Sequence, residues 1–352
     1  MRALTVEPGH KGSLSVADVP DPTPGEGELL VDGVAMGVCG TDKEIVSGEY
    51  GWAPPGSSRL VLGHESLGRV REAPASSNFS AGDLVVGVVR RPDPEPCGAC
   101  AVGEFDMCRN GRYRERGIKE LNGYGSHAWC VEADYAVRLD PSLERVGMLL
   151  EPTTVVSKAW EQVERIGARG WFEPKRALVT GAGPIGLLAA LIGVQHGLDT
   201  HVLDRVTEGP KPDLVKSLGA TYHHEDIESV AKKLRPDVVI EGTGVGSLVF
   251  GALMNTATYG ITCLTGVSSG GHKIEVDAGL VNRDIVLEND VVVGSVNANL
   301  RHYQQGADVL ARADNEWLEG LITRRVPLEK AAEAFQPADG DVKVIIELDG
   351  QS

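Results

Sequence analysis

The sequence predicts an α/β chain of two domains, one rich in antiparallel strands and one built on a parallel sheet with flanking helices. Three observations carry that prediction. Between residues 1 and 90, short apolar runs at 29–34, 60–62 and 84–89 alternate with turn signals such as Pro20-Asp21-Pro22 and Pro24-Gly25, the pattern of a compact β domain. From about 170 to 300, apolar strands alternate with amphipathic helices, the pattern of βαβ units. The 352 residues are enough for two cores.

Composition narrows the function classes. A formal charge of −16 argues against a nucleic-acid surface, which needs clustered Lys and Arg. The acidity reads as solubility, with a high-salt source as the alternative. No apolar run approaches the ~20 residues of a membrane span. Met1-Arg2-Ala3-Leu4 has no signal-peptide apolar region before charges begin, so the chain is expected in the cytoplasm, away from membranes. Disulfides are rare there, and three of the six cysteines crowd into one short segment, which points to metal.

Within the β domain, Cys39-Gly40-Thr41-Asp42 and Gly63-His64-Glu65 stand out. A thiolate and an imidazole suit zinc, and a catalytic zinc keeps three protein ligands and one open position. Taken alone, a buried structural Cys and a satisfied core His would explain the pair equally well. With their neighbours, these residues resemble the zinc-dependent medium-chain dehydrogenase/reductase superfamily of alcohol, polyol and sugar dehydrogenases. That resemblance implies a GroES-like β-rich catalytic domain over 1–155, to which 300–352 returns, and a Rossmann cofactor domain over 156–299. It makes Cys39 and His64 zinc ligands, Thr41 the hydroxyl that hydrogen-bonds the reacting alcohol, and Asp42 the partner that orients His64. Glu65 lies beside the metal and ligates it in some states.

Next along the chain, Cys97, Cys100 and Cys108 match the last three cysteines of the family's structural zinc lobe, with Pro94 where the first would stand. Asp93 or Glu95 could supply an oxygen as fourth ligand; otherwise the lobe is metal-free. Glu115-Arg116-Gly117-Ile118 followed by Gly123-Tyr124 resembles the glucose dehydrogenase branch, which implies that Glu115 contacts sugar hydroxyls. A carboxylate suits a polyol because it accepts charge-assisted bonds from two hydroxyls. A strand-like stretch covers 128–139. Leu149-Leu150-Glu151-Pro152 opens a helix to about 166, Pro152 being tolerated in the first turn. The same branch places an acid here where alcohol dehydrogenases have a cysteine, so Glu151 becomes the third zinc ligand, directly or through water.

Residues 177–180 read as a buried strand, then Gly181-Ala182-Gly183-Pro184-Ile185-Gly186 and an apolar helix, with Asp204 ending the next strand. In that context G-x-G-x-x-G is a dinucleotide fingerprint: the glycines allow a tight turn and close approach to the pyrophosphate at the helix N-terminus. Asp204 favours the ribose hydroxyls of NAD, while Arg205 could hold the 2′-phosphate of NADP, so NAD is expected with NADP possible. Strands ending in Gly-rich turns put Thr243 and Val267 at the cofactor edge. Asn297 lies, by the resemblance, near nicotinamide and sugar. Cys130 and Cys263 read as core thiols, His223-His224 as a solvated turn, and His302 as a surface residue of a helix at 301–313. A second helix at 328–335 and a strand at 342–346 close the chain.

Together these residues imply an NAD(P)-dependent zinc enzyme that oxidises the C1 hydroxyl of an aldose such as glucose to its lactone. Glu65, Glu115, Glu151 and Asn297 would hold the ring. A polyol or secondary-alcohol dehydrogenase of the same fold, or a non-catalytic nucleotide-binding relative, remains open. The family implies a homo-oligomer, dimer or tetramer.

Overall fold

Eleven residues, Glu28–Val38, form the strand on which the first unit is built. Leu29, Leu30, Val31, Ala35, Met36 and Val38 are all buried, so both faces of the strand carry core. It pairs antiparallel with Glu65–Glu72, Ala128–Glu132 and Lys343–Glu347. The sheet continues outward through Leu84–Gly87 to Ala136–Arg138 on one side, and on the other to Ile322–Pro327, which runs parallel to Lys343–Glu347. One cluster gathers Leu4, Met36, Ile45, Leu62, Val344 and Ile346; each such side chain contributes about 1.5–3 kcal/mol on burial. A second joins Leu29, Val31, Tyr124 and Trp129.

The computed structural model describes residues 1–268, 270 and 273–349. They divide into two compact units, Met1–Glu151 with Ala298–Ser352, and Pro152–Asn297. The helix Leu150–Gly167 carries the chain from the first to the second.

The second unit is a six-stranded, wholly parallel sheet in the order Thr221–His223, Asp199–Leu203, Arg176–Thr180, Val238–Glu241, Ile261–Leu264, Val291–Gly294. Its central strands are continuous apolar runs, as a sheet covered on both faces requires. The helix Pro184–Gln195 buries Leu187 through Gly193 without a polar face. Among the described residues no helix is long and apolar enough to cross a membrane.

Several expectations are corrected. His302 is not on the surface: it is 1% exposed, and its Nδ1 accepts from the backbone N–H of Asn299, capping the helix Leu300–Arg312. His223 is not in a solvated turn but ends an edge strand, with its Nε2 2.8 Å from Nδ1 of His201 and the two rings stacked. The stretch 128–139 is two strands separated by the 3-10 turn Ala133–Tyr135. Leu328–Phe335 is 3-10 rather than α, with an irregular Lys330.

Candidate functional site

Cys39 leaves the end of the central strand and caps the helix Gly40–Ser47 in extended conformation, its N–H donating to Asp42 Oδ2 at 3.0 Å. That turn places Thr41 in the first helical turn, half-buried, and turns Asp42 inward, where it is fully buried. His64 follows Gly63, whose φ of +100° only glycine adopts without strain and whose missing Cβ leaves room for the Gly125 backbone and the Met36 sulfur. His64 Nε2 lies 3.0 Å from Cys39 Sγ, while its Nδ1 faces Asp42 Oδ1 at 3.3 Å.

Glu65 opens the neighbouring strand opposite Gly37. A side chain at residue 37 would collide with the Glu65 carboxylate and stand 2.9 Å from Lys343 Cε, so glycine is what lets these two groups meet. Glu65 Oε2 pairs with the ammonium of Lys343; both side chains are 2% exposed, and Lys343 Nζ also donates to Val38 O at 3.1 Å. Neither Gly37 nor Lys343 stood out in the sequence, because a lone Lys in a terminal strand reads as an edge residue; its place in an otherwise apolar run, Val342 to Ile346, was the available signal.

The electrostatics follow from burial and charge. Burial alone would lower His64, but Asp42 and Cys39 raise it well above its ordinary value. Burial alone would raise Asp42, but His64 and the N–H of Cys39 bring it below the usual carboxylate range. Burial pushes the Glu151 carboxyl up to about 7, His64 opposing and Glu65 adding to the rise. Glu151 stands half-buried in the first turn of its helix.

Ligand atoms of Cys39, His64 and Glu65 lie within 4.8 Å of one another. Glu151 is outside that trio, though close enough for its charge to couple to His64 and Glu65. A sulfur, a nitrogen and a carboxylate oxygen converge, with a buried carboxylate behind the far ring nitrogen of the His. That donor set fits a tetrahedral zinc with its imidazole oriented from behind.

Cys97, Cys100 and Cys108 form a second such trio. Backbone N–H groups of Arg109 and Cys100 lower the Cys97 thiol to about 6, which favours the thiolate a metal needs. The two carboxylates considered as fourth ligand are engaged inside the lobe: Asp93 accepts from Glu95 N, Asn110 Nδ2 and Arg112 Nε, and Glu95 pairs with Arg112 at 2.8 Å.

Glu115 is 4% exposed, and its Oε1 accepts from Arg90 Nε and Nη2 at 3.0 and 2.9 Å; the guanidinium in turn lies over the Tyr113 ring. Gly117, in the same motif, packs on the backbone of Gly63. The motif thus braces the His64 turn.

In the second unit, Gly181 takes φ +90° and Gly183 caps the helix that begins at Pro184 and Ile185. A Cβ on Gly186 would strike the Gly181 carbonyl, so the turn is as tight as a pyrophosphate cradle requires. Asp204 accepts from Ala182 N at 2.6 Å and pairs with Lys211 at 3.4 Å, while Arg205 is exposed. Lys211 is a second cation beside Asp204 that the fingerprint did not single out. Thr243 hydrogen-bonds Glu241, Val267 is 83% exposed, and Asn297 takes φ +65° just after Val296, whose carbonyl accepts from Lys158. Cys263 is buried in its strand and Cys130 half-buried.

Known proteins resemble both halves. A family profile described as "Alcohol dehydrogenase GroES-like domain" matches residues 25–141, and one described as "Glucose dehydrogenase C-terminus" matches residues 144–348. A glucose 1-dehydrogenase of Methanocella arvoryzae is 41% identical over 99% of both chains, and one of Thermoproteus tenax is 41% identical over the same share. The structure of Haloferax mediterranei glucose dehydrogenase in complex with NADP, Zn and gluconolactone superposes with a TM-score of 0.91, at 33% identity over 99% of both chains.

Proposed function

The chain belongs to the zinc-dependent medium-chain dehydrogenase/reductase superfamily, in its glucose dehydrogenase branch, and we propose that it oxidises the C1 hydroxyl of an aldose such as glucose to the aldonolactone, with NAD(P) as hydride acceptor. The observation that carries this reading is the convergence of Cys39, His64 and Glu65 with Asp42 behind the imidazole. Zinc held by Cys39, His64 and a carboxylate of Glu65 or Glu151 would supply Lewis acidity toward the sugar hydroxyl.

The chain's own residues do the rest. Asp42 holds His64 with Nδ1 toward the carboxylate, leaving Nε2 free to ligate. Thr41 takes the hydroxyl proton at Oγ1 and passes it outward. Lys343 fixes the Glu65 carboxylate in the floor of the site. Glu65, Glu115, Glu151 and Asn297 hold the ring through its hydroxyls; Glu115 does so from a carboxylate already oriented by Arg90. Such fixed polar groups discriminate sharply, since a wrong sugar leaves them unpaired. In the second unit the turn from Gly181 to Gly186 receives the pyrophosphate, with Thr243 and Val267 along the same sheet edge. Asp204 receives the ribose of NAD, and Arg205 with Lys211 makes NADP usable too. The cysteine lobe holds a structural zinc through Cys97, Cys100 and Cys108.

The working assembly is a homo-oligomer, dimer or tetramer, of a cytoplasmic enzyme. Val292 on the edge strand Val291–Gly294, with Val286 and Leu287 on the helix before it, exposes apolar surface that a second copy would cover. The deciding experiment is a rate panel of aldoses, polyols and secondary alcohols with NAD+ and NADP+ on zinc-loaded protein. Glucose or a close aldose should give the highest kcat/KM with release of a lactone; no turnover of any aldose would overturn the reading.

A further inference from the structure

Glu241 ends the strand Val238–Glu241 at the middle of the parallel sheet, in register between Thr180 and Leu264. Its side chain is fully buried, and no basic group forms an ion pair with it among the described residues. An isolated buried carboxylate is costly unless fixed donors surround it. Here they do. Oε1 accepts from Thr180 Oγ1 at 3.1 Å, from Thr243 N at 2.8 Å and from the Thr243 hydroxyl. Gly244 N reaches both carboxylate oxygens, at 3.2 and 3.1 Å. The main-chain oxygen of the same residue accepts from Thr265 N, Gly266 N and Thr265 Oγ1 at 2.8, 3.0 and 2.9 Å.

One residue therefore ties together the three glycine-bearing turns at the carboxyl edge of the sheet, those after Thr180, Glu241 and Leu264. The turns also touch each other: a Cβ on Gly181 would lie 2.9 Å from Thr243 Cγ2, and one on Gly266 would lie 2.7 Å from Thr243 N. No slack separates them, so a shift of the 242–244 turn would be felt at Gly181 and hence in the cradle that follows it.

We propose that Glu241 is a positioning residue for the dinucleotide: its buried carboxylate sets the shape of the turns that receive the cofactor, without touching the cofactor itself. This rests on the dehydrogenase reading above. An apolar residue would fill the same space in a purely structural role, whereas the hydrogen bonds made by the carboxylate fix where Thr243 and Gly244 stand. Glutamine in its place keeps the volume but removes the charge that strengthens these bonds and, with its oxygen at the Oε1 position, sets an NH2 group against the Gly244 N–H that Oε2 accepted.

The test is direct titration of NADH and NADPH by fluorescence with the zinc-loaded protein, its Glu241→Gln variant and its Thr180→Val variant, alongside steady-state kinetics. Glu241→Gln should raise Kd and KM for the dinucleotide about tenfold or more, as loss of one or two charge-assisted bonds implies. The KM for the sugar at saturating dinucleotide should stay within about twofold. Thr180→Val, which removes one donor and nothing else, should raise Kd by about two- to fivefold; it keeps the test decisive if Glu241→Gln does not fold. Unchanged dinucleotide Kd in a folded Glu241→Gln, or in Thr180→Val where the former is lost, would overturn the assignment while leaving the dehydrogenase reading intact. Failure of the unsubstituted protein to bind either dinucleotide would instead remove that reading, and the role of Glu241 with it.

Discussion

Lys343→Met isolates the buried ion pair beneath the site. Methionine keeps the unbranched stem that passes Gly37 but leaves Glu65, 2% exposed, without its cation. Breaking a buried pair from one side costs about 3–5 kcal/mol. The loss is read by urea unfolding of zinc-free protein, followed by the fluorescence of Trp129 and Trp317, both buried in the unit that holds the pair. With a slope of about 2–3 kcal/mol per M, the midpoint of that transition should fall by about 1–2.5 M. Replacing both partners, Lys343→Met with Glu65→Met, should recover more than half of the loss, since an apolar pair of similar volume is often neutral. Saturating zinc should also shrink the penalty, a second cation taking over the charge of Glu65. A midpoint shift below about 0.3 M, or a double variant no more stable than the single one, would refute the argument.

Three further outcomes are expected. Cys39→Ser should lose the metal at its site and at least about a hundredfold in kcat, while NADH affinity, measured by titration, stays within about twofold. Asp204→Ala should raise the ratio of kcat/KM for NADP+ over NAD+ about tenfold or more, because a carboxylate beside the 2′ position is removed while Arg205 and Lys211 remain. Burial would raise the carboxyl of Glu132, but the Arg91 guanidinium outweighs it and holds the group at about 2, below its ordinary 4.5. A depressed folded pKa means stability that is present above about 4.5 and lost as pH falls toward about 2. Tm measured across that window should therefore fall less steeply for Glu132→Gln than for the unsubstituted protein.

What the sequence could and could not disclose follows from the range of the contacts involved. The dinucleotide turn was legible because its parts are neighbours: strand, Gly181 to Gly186 and helix are consecutive, and the acid at 204 ends the next strand. Cys39, Asp42, His64 and Glu65 were legible only through the resemblance of two short motifs, which a helix cap forms for the first pair and a left-handed glycine for the second. Lys343 was not, because its partner lies across the sheet and more than three-quarters of the chain length away. His302 was misjudged for the opposite reason. An amphipathic period identifies a helix, but it does not show that the first turn folds a ring back to cap its own start.

Glu115 shows how a motif singled out for one residue can brace the fold through another. Residues 115–118 were singled out for the acid. In the fold the acid is bound by Arg90, and Gly117 lies against the Gly63 backbone that delivers His64. A residue with a Cβ at 117 would meet the Gly63 nitrogen at 2.9 Å, in addition to straining a φ of +73°. Gly117→Ala should therefore act on the metal site rather than on sugar recognition alone. Zinc affinity and kcat should fall together, whereas a segment serving only sugar recognition would change the KM for the sugar and leave zinc affinity untouched. Equilibrium zinc competition with a chelator separates the two, because His64 directly follows Gly63 in the chain.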